Sequence, residues 1–186
     1  MNRQQRIILL EGQPRAFTMG SIEYINDQWV FFDDETEEAS LLDDNLHQEI
    51  EIFQNKVWRK GILFEEGKVG FADDVLTLKN HDKIRVRRHL VYSLERLLEE
   101  LHDEALIHFV TTLNSLKFSI YDCIYCYNHL TFLNKEQPNS GVNFIVFDNQ
   151  EHICTVQHHF SYFEKISDRF EFTLNSGKRL IIEKIS

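Results

Sequence analysis

The hydrophobic period changes twice along this chain, and those changes limit its fold more than any motif does. Up to about residue 87 the apolar residues come in short strand-like runs. Ile22-Glu23-Tyr24-Ile25 and Trp29-Val30-Phe31-Phe32 flank Asn26-Asp27-Gln28, a loop of hairpin length. Ile62-Leu63-Phe64 and Lys68-Val69-Gly70-Phe71 flank Glu65-Glu66-Gly67 in the same way. From about His89 the period becomes 3.6: Leu90, Leu94, Leu97, Leu98 and Leu101 share a face, followed by Leu106, Phe109, Val110, Leu113 and Leu116. No Gly or Pro interrupts residues 88–133, and Asn114-Ser115 is the softest point for a turn. A further helix is expected from about Ser119 to Leu130, with Ile120, Cys123, Ile124, Tyr127 and Leu130 along one side.

Glu136-Gln137-Pro138-Asn139-Ser140-Gly141 punctuates the chain, and strand patterns then return over 142–147, 152–158, 160–166, 169–174 and 179–185. The expected fold is therefore α+β. Residues 1–87 should form a small antiparallel β-barrel, SH3-like or similar, and residues 88–186 an α+β domain. In the latter, helices over about 89–133 pack on an antiparallel meander over about 142–185. The fifteen Phe and six Tyr, against seven Gly and two Pro, favour strands and short connections.

The two N-terminal hairpins also align with each other at an offset of 40 residues, Ile22 on Ile62, Tyr24 on Phe64, Phe31 on Phe71 and Asp33-Asp34 on Asp73-Asp74. Phe17 on Val57 makes a sixth match, and six matches without a Gly or Pro signature make a weak internal repeat. Between them, residues 33–51 carry nine acids and no Lys or Arg. Leu41, Leu42, Leu46 and Ile50 would give that stretch a turn or two of helix, and a solvated loop fits equally.

Charge and cysteine content narrow the function. Thirty acids against twenty bases give a net charge of −10, which opposes binding of nucleic acid or anionic membrane by the whole surface. Since no run of about 18 apolar residues occurs, a membrane-spanning helix is not expected. The four apolar residues before Glu11 are too few for a secretory leader, and three cysteines cannot close a disulfide framework, so the cytoplasm is the expected location.

Reactive motifs are sparse. Cys123-Ile124-Tyr125-Cys126 with His129 is a candidate zinc set, but tetrahedral zinc wants four converging ligands, usually from turns. A redox pair needs its first thiol at a helix N-terminus, whereas Cys123 lies inside the apolar pattern. His158-His159 point to opposite faces of any strand and cannot share an ion. Phosphate-cradling glycine patterns, a G-x-S-x-G elbow and H-E-x-x-H are all absent. No catalytic residue and no cofactor is assigned, and an enzyme is not expected.

The strongest candidate is Lys83-Ile84-Arg85-Val86-Arg87-Arg88, a basic strand closing the barrel, with Lys83, Arg85 and Arg87 on one face and Arg88 at its end. Three readings compete. The strand could follow a phosphate backbone, pair with the acids of 33–51 in the same molecule, or meet other protein chains. The leading expectation is a cytosolic, non-enzymatic protein-interaction or regulatory protein. The alternatives are a nucleic-acid-binding module using residues 83–88 and a zinc protein centred on Cys123 and Cys126.

Overall fold

The computed structural model describes residues 1–133, 139–163 and 166–185. It divides into two compact units, Ala16–Arg88 and a second made of Met1–Arg15 with the chain from His89 onward. Both sheets are antiparallel throughout, so the α+β class holds.

The Ala16–Arg88 unit holds eight strands: β1 (Phe17–Ile25), β2 (Gln28–Asp33), β3 (Ala39–Leu41), β4 (Glu49–Gln54), β5 (Val57–Phe64), β6 (Lys68–Gly70), β7 (Val75–Thr77) and β8 (Lys83–Arg87). Asn26-Asp27 and Asn55-Lys56 turn the tight hairpins with both residues at positive φ, the geometry that matches strand twist. The sheet runs β3-β2-β1-β8-β4-β5-β6-β7 and ends in the three-residue strands β3 and β7. Among the described residues those ends do not pair, so the expected closed barrel is not formed. The basic strand β8 closes nothing; it lies in the middle, paired with β1 on one side and β4 on the other. Ile22, Phe31, Leu42, Ile50, Ile52, Leu63, Val69, Leu78 and Ile84 make the core.

That strand order reads the same from both ends when β1 to β4 are exchanged for β5 to β8. The pairing register obeys the exchange as well. Gly20 faces Ile84 and Gly61 faces Ile50; Met19 faces Arg85 and Lys60 faces Glu51; Phe17 faces Arg87 and Trp58 faces Phe53. The unit is thus a duplicated four-strand motif whose last strands are swapped across a pseudo-dyad, with the Glu51–Arg85 pair on the axis. The true offset between β1 and β5 is 41 rather than 40, from Gly20 to Gly61. A slip of one residue moves a side chain to the other face of a sheet. Buried Ile22 therefore corresponds to buried Leu63, not to Ile62, which is half-exposed. Both glycines are needed. A Cβ on Gly20 would come 2.0 Å from the Phe32 carbonyl oxygen, and one on Gly61 would come 2.7 Å from Val69 Cγ1.

The acidic stretch 33–51 becomes β3, a 3-10 turn over Leu42–Asn45 and the start of β4, neither α-helix nor plain loop. Leu42 and Ile50 anchor it in the core while Leu41 is exposed, so its leucines do not make one helical stripe.

In the second unit, α1 (Arg3–Glu11) is tied by Arg6 to the Leu98, Glu99 and Leu101 carbonyls and to Asp103. The amphipathic stretch breaks at Leu101-His102 into α2 (Tyr92–Glu100) and α3 (Asp103–Ser115), because Leu101 takes extended backbone angles. Five strands follow: β9 (Cys123–Tyr127), β10 (Asn139–Asp148), β11 (Ile153–Tyr162), β12 (Ile166–Leu174) and β13 (Arg179–Ile185), in the order β13-β12-β11-β10-β9. Phe109 of α3 lies 5.1 Å from Phe170, 6.0 Å from Phe172 and 6.2 Å from Phe147 by ring centroids, seating the helix on the inner sheet face.

Two expectations fail here. Residues 119–130 are not a helix: Ser119 and Asp122 cap a single 3-10 turn, and Cys123–Tyr127 then pairs with β10. Aromatic and Cys-Ile residues accept either state, and the ladder offered by β10 decides between them. No separate strand spans 160–166, since β11 runs on to Tyr162 and Ser167-Asp168 sits inside β12 rather than in a turn. Of the expected turn at 136–141, residues 136–138 lie outside the described residues, and β10 already begins at Asn139.

Candidate interaction surface

Alternation along β8 sends Ile84 into the core and Lys83, Arg85 and Arg87 to the other face. The structure gives Lys83 and Arg85 partners from the acidic stretch. Lys83 Nζ donates to Asp34 at 2.7 Å, an exposed pair. Arg85 donates to Glu51 Oε2 through Nε at 2.7 Å and Nη2 at 2.5 Å, with only 25% and 15% of the two side chains exposed. Its guanidinium also lies 4.2 Å from the Phe17 ring centroid and 4.6 Å from that of Trp58. Phe17 and Trp58 are mates across the pseudo-dyad, so Arg85 is clamped where the two half-motifs meet. Arg87 is half-exposed and Arg88 exposed. A guanidinium held between two rings and a carboxylate is a poor phosphate contact, because the charge is already compensated.

Cys123 and Cys126 fall on β9 and His129 on the turn after it. Among the described residues, no three His, Cys, Asp or Glu side chains stand close enough to hold a metal ion. The three cysteines are free. Burial pushes the Cys123 thiol up to about 12 and those of Cys126 and Cys154 up to about 11, which disfavours the thiolate that redox or metal chemistry requires.

Among the most buried polar groups, Asn143 and Asp168 are not singled out by the sequence, and His158 enters it only as half of a His-His pair. On the inner sheet face, fully buried His158 sits opposite Asn143. Asn143 Oδ1 accepts from the His129 N–H at 2.7 Å, so its amide nitrogen turns toward His158 Nδ1 at 3.0 Å. Nδ1 must then be an acceptor, which leaves the imidazole neutral with its proton on Nε2. That proton is donated to Asp168 Oδ1 at 2.8 Å, and Tyr162 donates to the same oxygen at 2.6 Å. Burial lowers the His158 pKa, and burial together with Asp168 raises that of Tyr162. The His158 and Tyr162 bonds link β10, β11 and β12 to one another, and the His129 bond ties the turn after β9 to β10. This network fixes register, and it leaves the imidazole no open nitrogen for acid–base work. Asn143, His158 and Asp168 share one inward parity only when Asp168 belongs to a strand, and the expected strands over 160–166 and 169–174 leave it out.

One group of side chains that the second unit leaves uncovered is largely aromatic. On β9, Ile124, Tyr125 and Tyr127 are 61, 54 and 41% exposed. Phe144, paired with Tyr127 on β10, is 47% exposed, and Phe132, stacked 6.2 Å from Tyr127, is 73% exposed. Tyr92 at the start of α2 is exposed too, and its neighbour Ser93 donates to the Cys126 carbonyl at 2.6 Å. These six residues carry no charge in a chain of net charge −10. Tyr127, with Phe132 stacked on it and Phe144 paired to it, stands at the centre of this exposed apolar group, and Tyr and Phe are residue types enriched at protein interfaces.

Residues 4–184 match the model of a family described as "Protein of unknown function (DUF2777)". The chain belongs to this family. A relative described as "Uncharacterized protein YisN", from Bacillus subtilis (strain 168), is 30% identical over 183 residues, covering 98% of this chain and 91% of its own length. No solved structure matches. The family match spans both units, so this DUF2777 chain combines the pseudo-symmetric sheet and the α+β unit within one family.

Proposed function

We propose that this DUF2777 protein is a cytoplasmic, non-enzymatic interaction protein that works by holding another polypeptide on the aromatic edge of its five-stranded sheet. The observation that carries the reading is the uncharged strip of Tyr92, Ile124, Tyr125, Tyr127, Phe132 and Phe144. Its large amphipathic rings lose little entropy on docking, and such residues dominate interface energetics. The groups with chemical potential support the same reading from the other side. His158 and Asp168 are spent on sheet register, the thiols are held protonated, and Lys83 and Arg85 are neutralised within their own unit. Three free cysteines suit a reducing compartment.

The test is capture from host-cell extract with the wild-type protein and with a Tyr125→Lys, Phe132→Lys variant, quantified by mass spectrometry. At least one polypeptide should be retained by the wild type and lost by the variant. Identical captured sets would sink the reading.

A further inference from the structure

We propose that the occupant of this aromatic strip is a second copy of the same chain, bound across a two-fold axis near Tyr125. The inference rests on the interaction reading above and names its partner.

Size gives the first argument. With aromatic side chains contributing about 150–250 Å² each, the exposed fractions of the six residues amount to roughly 700 Å² per copy. Two copies would bury about 1,400 Å², inside the range of about 1,200–2,000 Å² that stable complexes use. Charge gives the second. Two molecules of net charge −10 repel each other over most of their surfaces, and a neutral strip is where they approach at least cost. A partner selected by opposite charge would need charged groups in the strip itself, and its six residues supply none. A face of neutral rings is complementary to itself, as a two-fold contact requires.

Geometry sets the mode. The Cys126 carbonyl on the edge strand is already taken by the Ser93 hydroxyl at 2.6 Å. The contact is therefore made by side chains, Tyr125 and Phe132 packing on their symmetry mates, rather than by running the ladder on into a ten-stranded sheet. The other edge is guarded: β13 carries Arg179 and Glu183 among its described side chains, the usual device against edge pairing.

Sedimentation velocity on the full chain tests this, at about 50 μM, the concentration range of modest dimers. The wild type should sediment as a dimer, and Tyr125→Lys and Phe132→Lys should each weaken association by at least about tenfold while leaving circular dichroism unchanged. Ile181→Lys, at an exposed position on β13, should remain dimeric. Raising salt should tighten the dimer, because it screens like-charge repulsion and leaves apolar contact intact. A monomer at that concentration, or a dimer indifferent to both strip substitutions, overturns the inference. If the wild type is monomeric and the strip variants still lose a captured polypeptide, the interaction reading stands and the second copy is not its partner.

Discussion

Replacing Arg85 with Ala should destabilise the Ala16–Arg88 unit by about 2–4 kcal/mol, far more than removing a surface charge does. The estimate starts from the Glu51 pair, with 25% and 15% of its side chains exposed, midway between two regimes. Exposed pairs contribute about 0–1 kcal/mol, and breaking a buried pair costs about 3–5 kcal/mol. Losing the contacts to Phe17 and Trp58 adds about 0.5–1 kcal/mol each. Lys83→Ala is the internal control: its side chain is 49% exposed and that of Asp34 45%, so solvent screening holds the cost below about 1 kcal/mol. The assay is urea unfolding followed by tryptophan fluorescence. Trp29 and Trp58 are the chain's two tryptophans and both lie in this unit, so the signal reports it alone. A double-mutant cycle with Glu51→Gln and Arg85→Met should return a coupling of at least about 1 kcal/mol. Equal costs for Arg85→Ala and Lys83→Ala would refute the reasoning, as would a cycle that closes to zero.

Phe109→Ala should cost about 3–5 kcal/mol in the second unit, measured by chemical denaturation with tyrosine circular dichroism, because three Phe rings lose their common partner. Gly20→Ala should abolish folding of the first unit or shift its midpoint drastically, as the added carbon would sit against the Phe32 carbonyl oxygen. His158 has a folded pKa below its unfolded value near 6.5, so it is neutral in both states above pH 6.5 and its contribution is then complete. As pH falls through 6.5 the unfolded chain takes up a proton that the folded one refuses, and stability drops by up to about 1.4 kcal/mol per pH unit. Nitrogen NMR should show His158 as the Nε2–H tautomer down to pH 6, and a resonance that titrates with the exposed histidines would contradict this. No binding to DNA or RNA is expected near physiological salt, and fluorescence anisotropy with labelled oligonucleotides checks it; micromolar affinity lost on Arg87→Gln and Arg88→Gln would revive that function.

The class of fold was legible because it depends on period alone: Leu94, Leu97, Phe109 and Leu113 are all buried as their spacing requires. Features that depend on parity were not. The repeat was visible in Ile22 with Ile62 and Tyr24 with Phe64, but its phase was off by one, because adjacent apolar residues such as Ile62 and Leu63 hide which of them faces the core. Residues 120–130 fit a helical stripe and a strand equally well, and only pairing with β10 distinguishes them. That misreading concealed the candidate surface. In a helix Tyr127 lies on the apolar side and is buried, whereas in a strand Tyr125 and Tyr127 share the outward face. The basic strand was identified correctly as a strand, but its neighbours Phe17, Glu51 and Trp58 are 27 to 68 residues away in sequence, and no local pattern announces them.

Site-specific photocrosslinking in the living cell tests the central claim most directly. A benzophenone side chain at position 132 should capture a polypeptide, while the same probe at Ile181, on the far edge strand and 52% exposed, should not. Adducts confined to position 132 are the predicted result. No adduct at 132, or equal adducts at both positions, would contradict the claim that the aromatic edge is where this protein acts.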